Sequence, residues 1–389
     1  MLPLLSLIAP LVLLPIVAAR FGTTGWTAVA LGQSLGAVAS VAISLAWPVI
    51  GGNLVARSTA DERATIYMRS LVSRGLVCAV VLPSFVALSF LLAPEYPWQT
   101  AGFMVGIALN GMTAAWFYAG TGTPRHLVAN EGAVRTTAYL LAAVALAMGA
   151  DLGAYSAASV AGGVTSILLN ARTILASSAK ERIPFRQRIA VGVDELRNQA
   201  RGTGARLLQA AFNFSGVSIY SAVAPQSLAT FAAADQVAKA ATNAGSVLPQ
   251  TFVSWVGGAP RSRQREITSL AAVGSLLLVG FGIWLVVASP VLGFMFAGSS
   301  MLSPADVVLI GLMVGGMISV QAVELLLLVP RGLERKIYAA RSTVSVAGIV
   351  ALAAAAAAFG VTAALGVYVA AAIAYLFFYS LVLSAHQST

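Results

Sequence analysis

The amino-acid sequence predicts an all-α polytopic membrane protein of about twelve transmembrane helices, arranged as two pseudo-symmetric six-helix bundles around a central cavity. Three observations carry this: the scarcity of charge, the length of the uncharged runs, and a repeat between the two halves. Only 9% of the 389 residues are charged and 59% are hydrophobic, whereas a soluble domain carries about 25% charged residues. Too little charge is present to cover a water-facing surface, and a bilayer tolerates apolar exteriors while penalising charge. No Asp, Glu, Lys or Arg occurs in 21–56, 75–94, 96–124, 207–234, 267–305 or 342–385. A membrane helix needs about 20 apolar residues, so the longest of these runs each hold two spans and a tight turn. Lipid leaves helices or closed barrels as the only spanning structures. The runs are continuous rather than alternating, which selects helices.

Spans are read at 3–20, 26–51, 74–94, 99–121, 136–150, 154–176, 203–224, 226–256, 268–290, 305–329, 342–359 and 361–384. The first has no basic stretch before it and more spans follow at once, so it reads as a helix rather than a signal peptide. The chain opens on Met1-Leu2-Pro3 with no polar tail, as a truncated or misassigned start would. Pro10 and Pro15 are expected to bend this span. The fifth span is short, and the eighth is long enough to tilt. Trp and Tyr near span ends fit interface anchoring.

Charge sets the orientation. Arg57, Arg63, Arg69 and Arg74 follow the second span, Arg125 and Arg135 the fourth, and Arg172 to Arg206 flank the centre. Arg261, Arg263 and Arg265 follow the eighth span, and Arg331, Arg335, Lys336 and Arg341 the tenth. Together these are 21 of the 23 basic residues. The alternate loops hold Arg20, Glu95, Asp151 and Asp306. The asymmetry places both termini in the cytoplasm. The net charge of +10 is therefore a topology device with added attraction to anionic membrane lipids, and nucleic acid is not an expected partner.

The halves repeat. Pro124, Arg125, Leu127, Ala133, Arg135 and Thr137 recur as Pro330, Arg331, Leu333, Ala339, Arg341 and Thr343, every pair offset by 206. Gln33 matches Gln236, and Ser40 matches Asn243, at an offset of 203. An even number of spans per half keeps both halves in one orientation, as in a parallel repeat. The expected division is a bundle at 1–179, a cytoplasmic linker at 180–202 and a second bundle at 203–389. In the linker, Ile189, Val191, Val193 and Leu196 suit either an amphipathic surface helix or a solvated connector.

Polar residues within spans are the remaining candidates for chemistry. Asp235 and Lys239 lie one turn apart near the middle of the eighth span, with Asn243 a turn further. Gln33, Ser40 and Ser44 form a weaker stripe in the second. Gln209 and Asn213 lie in the seventh, Gln321 and Glu324 near the inner end of the tenth, and Arg20 at the outer end of the first. A charge at the bilayer centre costs about 2.5–3.5 kcal/mol on insertion scales. Asp235 and Lys239 read as a local ion pair or as the lining of a pathway; Glu324 reads as an ion site or a snorkelling acid, and Arg20 as a site residue or a headgroup anchor. Cys78 is alone, so it forms no intrachain disulfide, and it reads as a small packing residue. Two histidines signal no metal site. No cofactor motif, phosphate loop or catalytic constellation stands out.

The stretch LPIVAARFGTTGWTAVALGQS, Leu14 to Ser34, and WFYAGTGTPR, Trp116 to Arg125, resemble polysaccharide flippases of the multidrug/oligosaccharidyl-lipid/polysaccharide exporter superfamily. The resemblance extends over the whole chain in span count and symmetry. It implies a transporter, not an enzyme, in the bacterial cytoplasmic membrane. Its cargo would be an undecaprenyl-diphosphate-linked oligosaccharide, moved from the inner to the outer leaflet by alternating access, with glycan polymerase and glycosyltransferases as partners. On this reading Arg20 matches the family's first-span arginine and joins Lys239, Asn243, Gln33, Gln236 and Asn213 as substrate-binding residues. Asp235 and Glu324 are the ion-coupling candidates. Peptidoglycan-precursor flippases of the superfamily often have two further spans, for which this chain has no room. The rival readings are a drug or cation antiporter of the same superfamily, a membrane-embedded glycan polymerase or ligase, and a structural scaffold. The outer loops are too short for the catalytic loop a polymerase carries.

Overall fold

The computed structural model describes residues 2–176, 185–249, 251–252, 263–295 and 302–387. Among them all regular structure is helical, and the protein is an all-α polytopic membrane protein. Each predicted span falls on helical segments, the second, fourth and seventh each on two with a break between them; the end of the eighth, at 250 and 253–256, lies outside the described residues. Eight helices among the described residues are long and apolar enough to cross a membrane. The chain divides into two compact units, Met1–Ala210 and Ala211–Thr389.

The first unit opens with α1 (Leu2–Ser44), which holds two spans joined at Gly22. Gly22 sits at φ 62, a left-handed conformation open to glycine, and so permits a sharp kink there. α2 (Trp47–Arg57) follows a break at Leu45, which takes φ 52. α3 (Ala60–Leu92) begins on a capping box between Thr59 and Glu62. α4 (Pro97–Ala108) runs into a 3₁₀ turn at Leu109–Met112, breaks, and resumes as α5 (Ala115–Thr121). α6 (Pro124–Leu127), a π-helical stretch at Val128–Ala133 and α7 (Val134–Ala147) form one continuous fifth span, longer than the sequence suggests. α8 (Leu152–Leu175) closes the six.

α9 (Phe185–Phe214) covers most of the predicted linker as well as the seventh span; residues 180–184 lie outside the described residues. Its early part belongs to the first unit, with Gly192 against Val72 of α3. Gln199 is buried and its side-chain oxygen accepts the Ala46 N–H at 2.9 Å, while Arg206 donates to the Leu45 carbonyl. These bonds satisfy backbone groups that the break at Leu45 frees, as apolar surroundings require.

In the second unit α10 (Gly216–Val223) continues the seventh span past Ser215, and a turn at Pro225–Ser227 leads into α11 (Leu228–Gly245). α12 (Arg263–Met295) is followed by α13 (Pro304–Val323), which starts on a capping box between Ser303 and Asp306. A π-helical stretch, Glu324–Leu328, and a 3₁₀ turn, Val329–Arg331, extend the tenth span. α14 (Glu334–Ala358) and α15 (Gly360–Gln387) complete the chain.

Candidate functional site

The buried charges of the eighth span arise on α11. Residues one turn apart share a helix face, and the Lys239 ammonium donates to Asp235 Oδ2 at 2.5 Å. Asp235 is 2% exposed, whereas the Lys239 side chain keeps 21% exposure. Burial of Phe231, Ala232, Ala233 and Ala234 on the preceding turn places Asp235 in the interior of the unit. Tyr220 of α10 stacks on Phe231 at 4.2 Å, which draws the seventh span against α11. The Lys239 nitrogen also lies 4.9 Å from the centre of the Phe214 ring, a distance at which a cation gains from the ring face.

One carboxylate oxygen here has no partner. Asp235 Oδ1 is buried and unpaired, as are Asn213 Oδ1, Ser215 Oγ, Ser218 Oγ and Tyr220 Oη on the adjoining seventh span. Leaving a buried polar group unpaired costs about 1–3 kcal/mol, so this is where further cations or hydrogen-bond donors gain most. The helix interruption at Ser215, between α9 and α10, lies among these oxygens. The pair therefore presents two faces chemically: an ammonium with access, suited to an anion, and a half-satisfied carboxylate among oxygens, suited to a cation.

Glu324 forms a second cluster in the same unit. It is 3% exposed on the π-helical stretch, and Arg341 of α14 donates to both its oxygens, Nε to Oε1 at 2.9 Å and Nη2 to Oε2. Tyr379 of α15 donates to Oε1. Glu324 is thus held by residues of α14 and α15 as well as its own span. Arg331 meanwhile bonds Glu266 Oε2 at 2.8 Å and the Leu327 carbonyl.

The other predicted residues are placed differently. Asn213 sits beside Phe214, the ring under Lys239. Gln236 is half-buried and Asn243 exposed, both on α11 with the ion pair. In the first unit Gln33 shares a hydrogen bond with Tyr155, and Arg20 is exposed, donates to the Leu146 carbonyl at the end of α7 and lies over the Phe21 ring. Sequence reasoning missed Arg74 and Glu131, both buried and hydrogen-bonded. It treated Arg74 and Arg341 as topology charges. The repeat had already singled out Arg341 and its counterpart Arg135, which donates to Asn110, and that was the usable signal.

No family model and no curated protein matches the chain. Among solved structures it is similar to the lipid II flippase MurJ in an inward closed conformation, with a TM-score of 0.66 at 12% identity over 98% of this chain and 86% of that one. It is also similar to an inward-facing multidrug resistance MATE family transporter of the MOP superfamily, with a TM-score of 0.57 at 15% identity over 100% of this chain and 96% of that one. The fold is therefore similar to that of these two proteins, all-α and polytopic.

Proposed function

We propose that the protein is a transporter that flips an undecaprenyl-diphosphate-linked oligosaccharide from the inner to the outer leaflet of the bacterial cytoplasmic membrane, by alternating access, with both termini in the cytoplasm. The observation that carries the reading is Lys239, an accessible ammonium in mid-span on a transporter fold. A diphosphate cannot cross hydrocarbon unaided, and a cation held within the membrane offsets its desolvation while the lipid tail stays in the bilayer. In this proposal the substrate-binding residues are Lys239, Asn213, Gln236, Asn243, Arg20 and Gln33. Asp235 and Glu324 are the ion-coupling groups, and anionic lipids, glycan polymerase and glycosyltransferases are the partners.

A second reading, a drug or cation antiporter, draws on the unpaired oxygens around Asp235, which favour a cation. Proteoliposomes distinguish the two. Flipping of a fluorescent undecaprenyl-diphosphate glycan, with no efflux of cationic dyes, is expected; dye efflux without flipping would establish the antiporter. Lys239→Ala and Lys239→Glu should lower flipping at least tenfold, and Lys239→Arg should be milder. If Lys239 merely neutralises Asp235, the pair Asp235→Asn with Lys239→Gln restores both abundance and flipping, because no buried charge is left unpaired. Full activity of that double variant removes Lys239 from the substrate site.

A further inference from the structure

The second and fourth spans of the first unit are interrupted at one depth. The second breaks at Leu45, whose φ of 52 is a left-handed conformation that a branched side chain adopts only under constraint, at a cost of about 1–3 kcal/mol. The fourth breaks at Thr113, extended at φ −51 and ψ 145, between the 3₁₀ turn and α5. The levels coincide because Gly111 packs directly on Ser40 and Ile43: a Cβ at Gly111 would lie 2.5 Å from the Ser40 carbonyl oxygen.

Beyond the breaks, the inner pieces pack on each other. Trp47 of α2 stacks on Trp116 of α5 with ring centres 5.1 Å apart. Gly51 lies under the Trp116 ring, where a Cβ would come within 2.3 Å of it, and Gly120 lies against the Gly52 carbonyl oxygen, 2.5 Å from where its Cβ would be. Backbone approach this close makes α2 and α5 one piece.

Each break is held by side chains from elsewhere in the unit. Buried Arg74 of α3 donates from Nη1 to the Gly111 and Thr113 carbonyls, at 3.2 and 2.8 Å. Glu131, on the π-helical stretch, accepts the Ala114 N–H at 2.8 Å, the Thr113 hydroxyl at 2.6 Å and the Asn170 amide at 2.7 Å. The guanidinium therefore meets the carbonyl end of the outer segment and the carboxylate meets the amide end of the inner one, the sense that helix dipoles favour. Gln199 and Arg206 hold the other break in the same way. Along the seam between α3 and α5, however, Tyr67 Oη, Ser70 Oγ, Arg74 Nη2 and Trp116 Nε1 are buried without a partner. The breaks are thus well satisfied, while the seam on which α5 rests is not, so sliding along the seam sacrifices no hydrogen bond made by these four atoms.

We infer that α2 and α5 form a single hinged inner gate in the first unit, latched by Glu131 and Arg74. The inference does not depend on the identity of the substrate. The test is double electron–electron resonance on the full-length protein in nanodiscs, in a Cys78→Ser background. One spin-label pair, Trp98→Cys with Ala119→Cys, brackets the fourth-span break; the other, Thr24→Cys with Leu54→Cys, brackets the second. Glu131→Gln removes the latch charge and should increase a second distance in both pairs together, shifting the population ratio about tenfold. Thr113→Val removes one hydrogen bond, should shift the ratio about fivefold, and serves if Glu131→Gln fails to fold. A second distance in both pairs supports the gate. A single unchanged distance in every variant, or a second distance in only one pair, overturns it.

Discussion

At the level of single residues, the candidate site turns on unequal satisfaction. Lys239 spends its ammonium on one oxygen of Asp235 and keeps access, while the other oxygen is buried and unpaired. Glu324 is the opposite case: three donor atoms converge on its two oxygens, so both are satisfied. Asp235 is accordingly the better of the two ion-coupling candidates. Arg20 has a structural task, since its exposed side chain donates to the Leu146 carbonyl near the end of α7. Water replaces such a bond readily, so Arg20→Ala should cost less than about 1 kcal/mol and leave membrane abundance near normal. Substrate export should nevertheless fall if Arg20 also contacts the diphosphate. Equal export at equal abundance would leave it as the tie between α1 and α7 alone.

The spans are not uniform rods at the level of elements. The Gly22 kink follows from a residue visible in the sequence; the break at Thr113 does not, because neither Thr113 nor Ala114 is a helix breaker. It exists because Arg74, 39 residues away in sequence, donates to the freed Thr113 carbonyl, and Glu131, 17 residues from Ala114, accepts the freed Ala114 N–H. In the second unit the tenth span stays continuous and carries its acid itself, with Arg341 and Tyr379 drawn in from α14 and α15. Glu324→Gln keeps an acceptor for Tyr379 but leaves Arg341 without its counter-charge. The Arg341 side chain is 26% exposed, so the expected loss is about 3 kcal/mol, the lower end for a broken buried pair. Adding Arg341→Met should recover most of it in thermal unfolding of the purified protein. Additive losses in the double variant would show that the pair is not coupled.

Over the whole molecule, the fold is similar to that of a MATE family transporter along the full length of the chain, and the charge asymmetry sets the expected topology. The orientation is the most direct prediction at this scale. Reporter fusions at Thr389 and within 181–200 should both register the cytoplasm. An external signal from either requires an odd number of spans before that point and ends the twelve-span topology.

The sequence by itself determined the solvent and the helical character of the chain. These depend on composition and run length, which lipid constrains at every residue in the same way. It also determined the Asp235–Lys239 pair, because one helical turn brings i and i+4 together without help from the rest of the chain. Only the tertiary structure decided that Arg20 ties α1 to α7, that Arg341 belongs to Glu324, and that Arg74 and Glu131 hold a broken span. It also decided that most of the predicted linker is the start of a helix gripping Leu45 and Ala46. Each of these joins residues far apart in sequence through a backbone group that is unsatisfied only once neighbouring helices have packed. Sequence spacing carries no trace of such a demand, because the carbonyls and amides that create it are common to every residue.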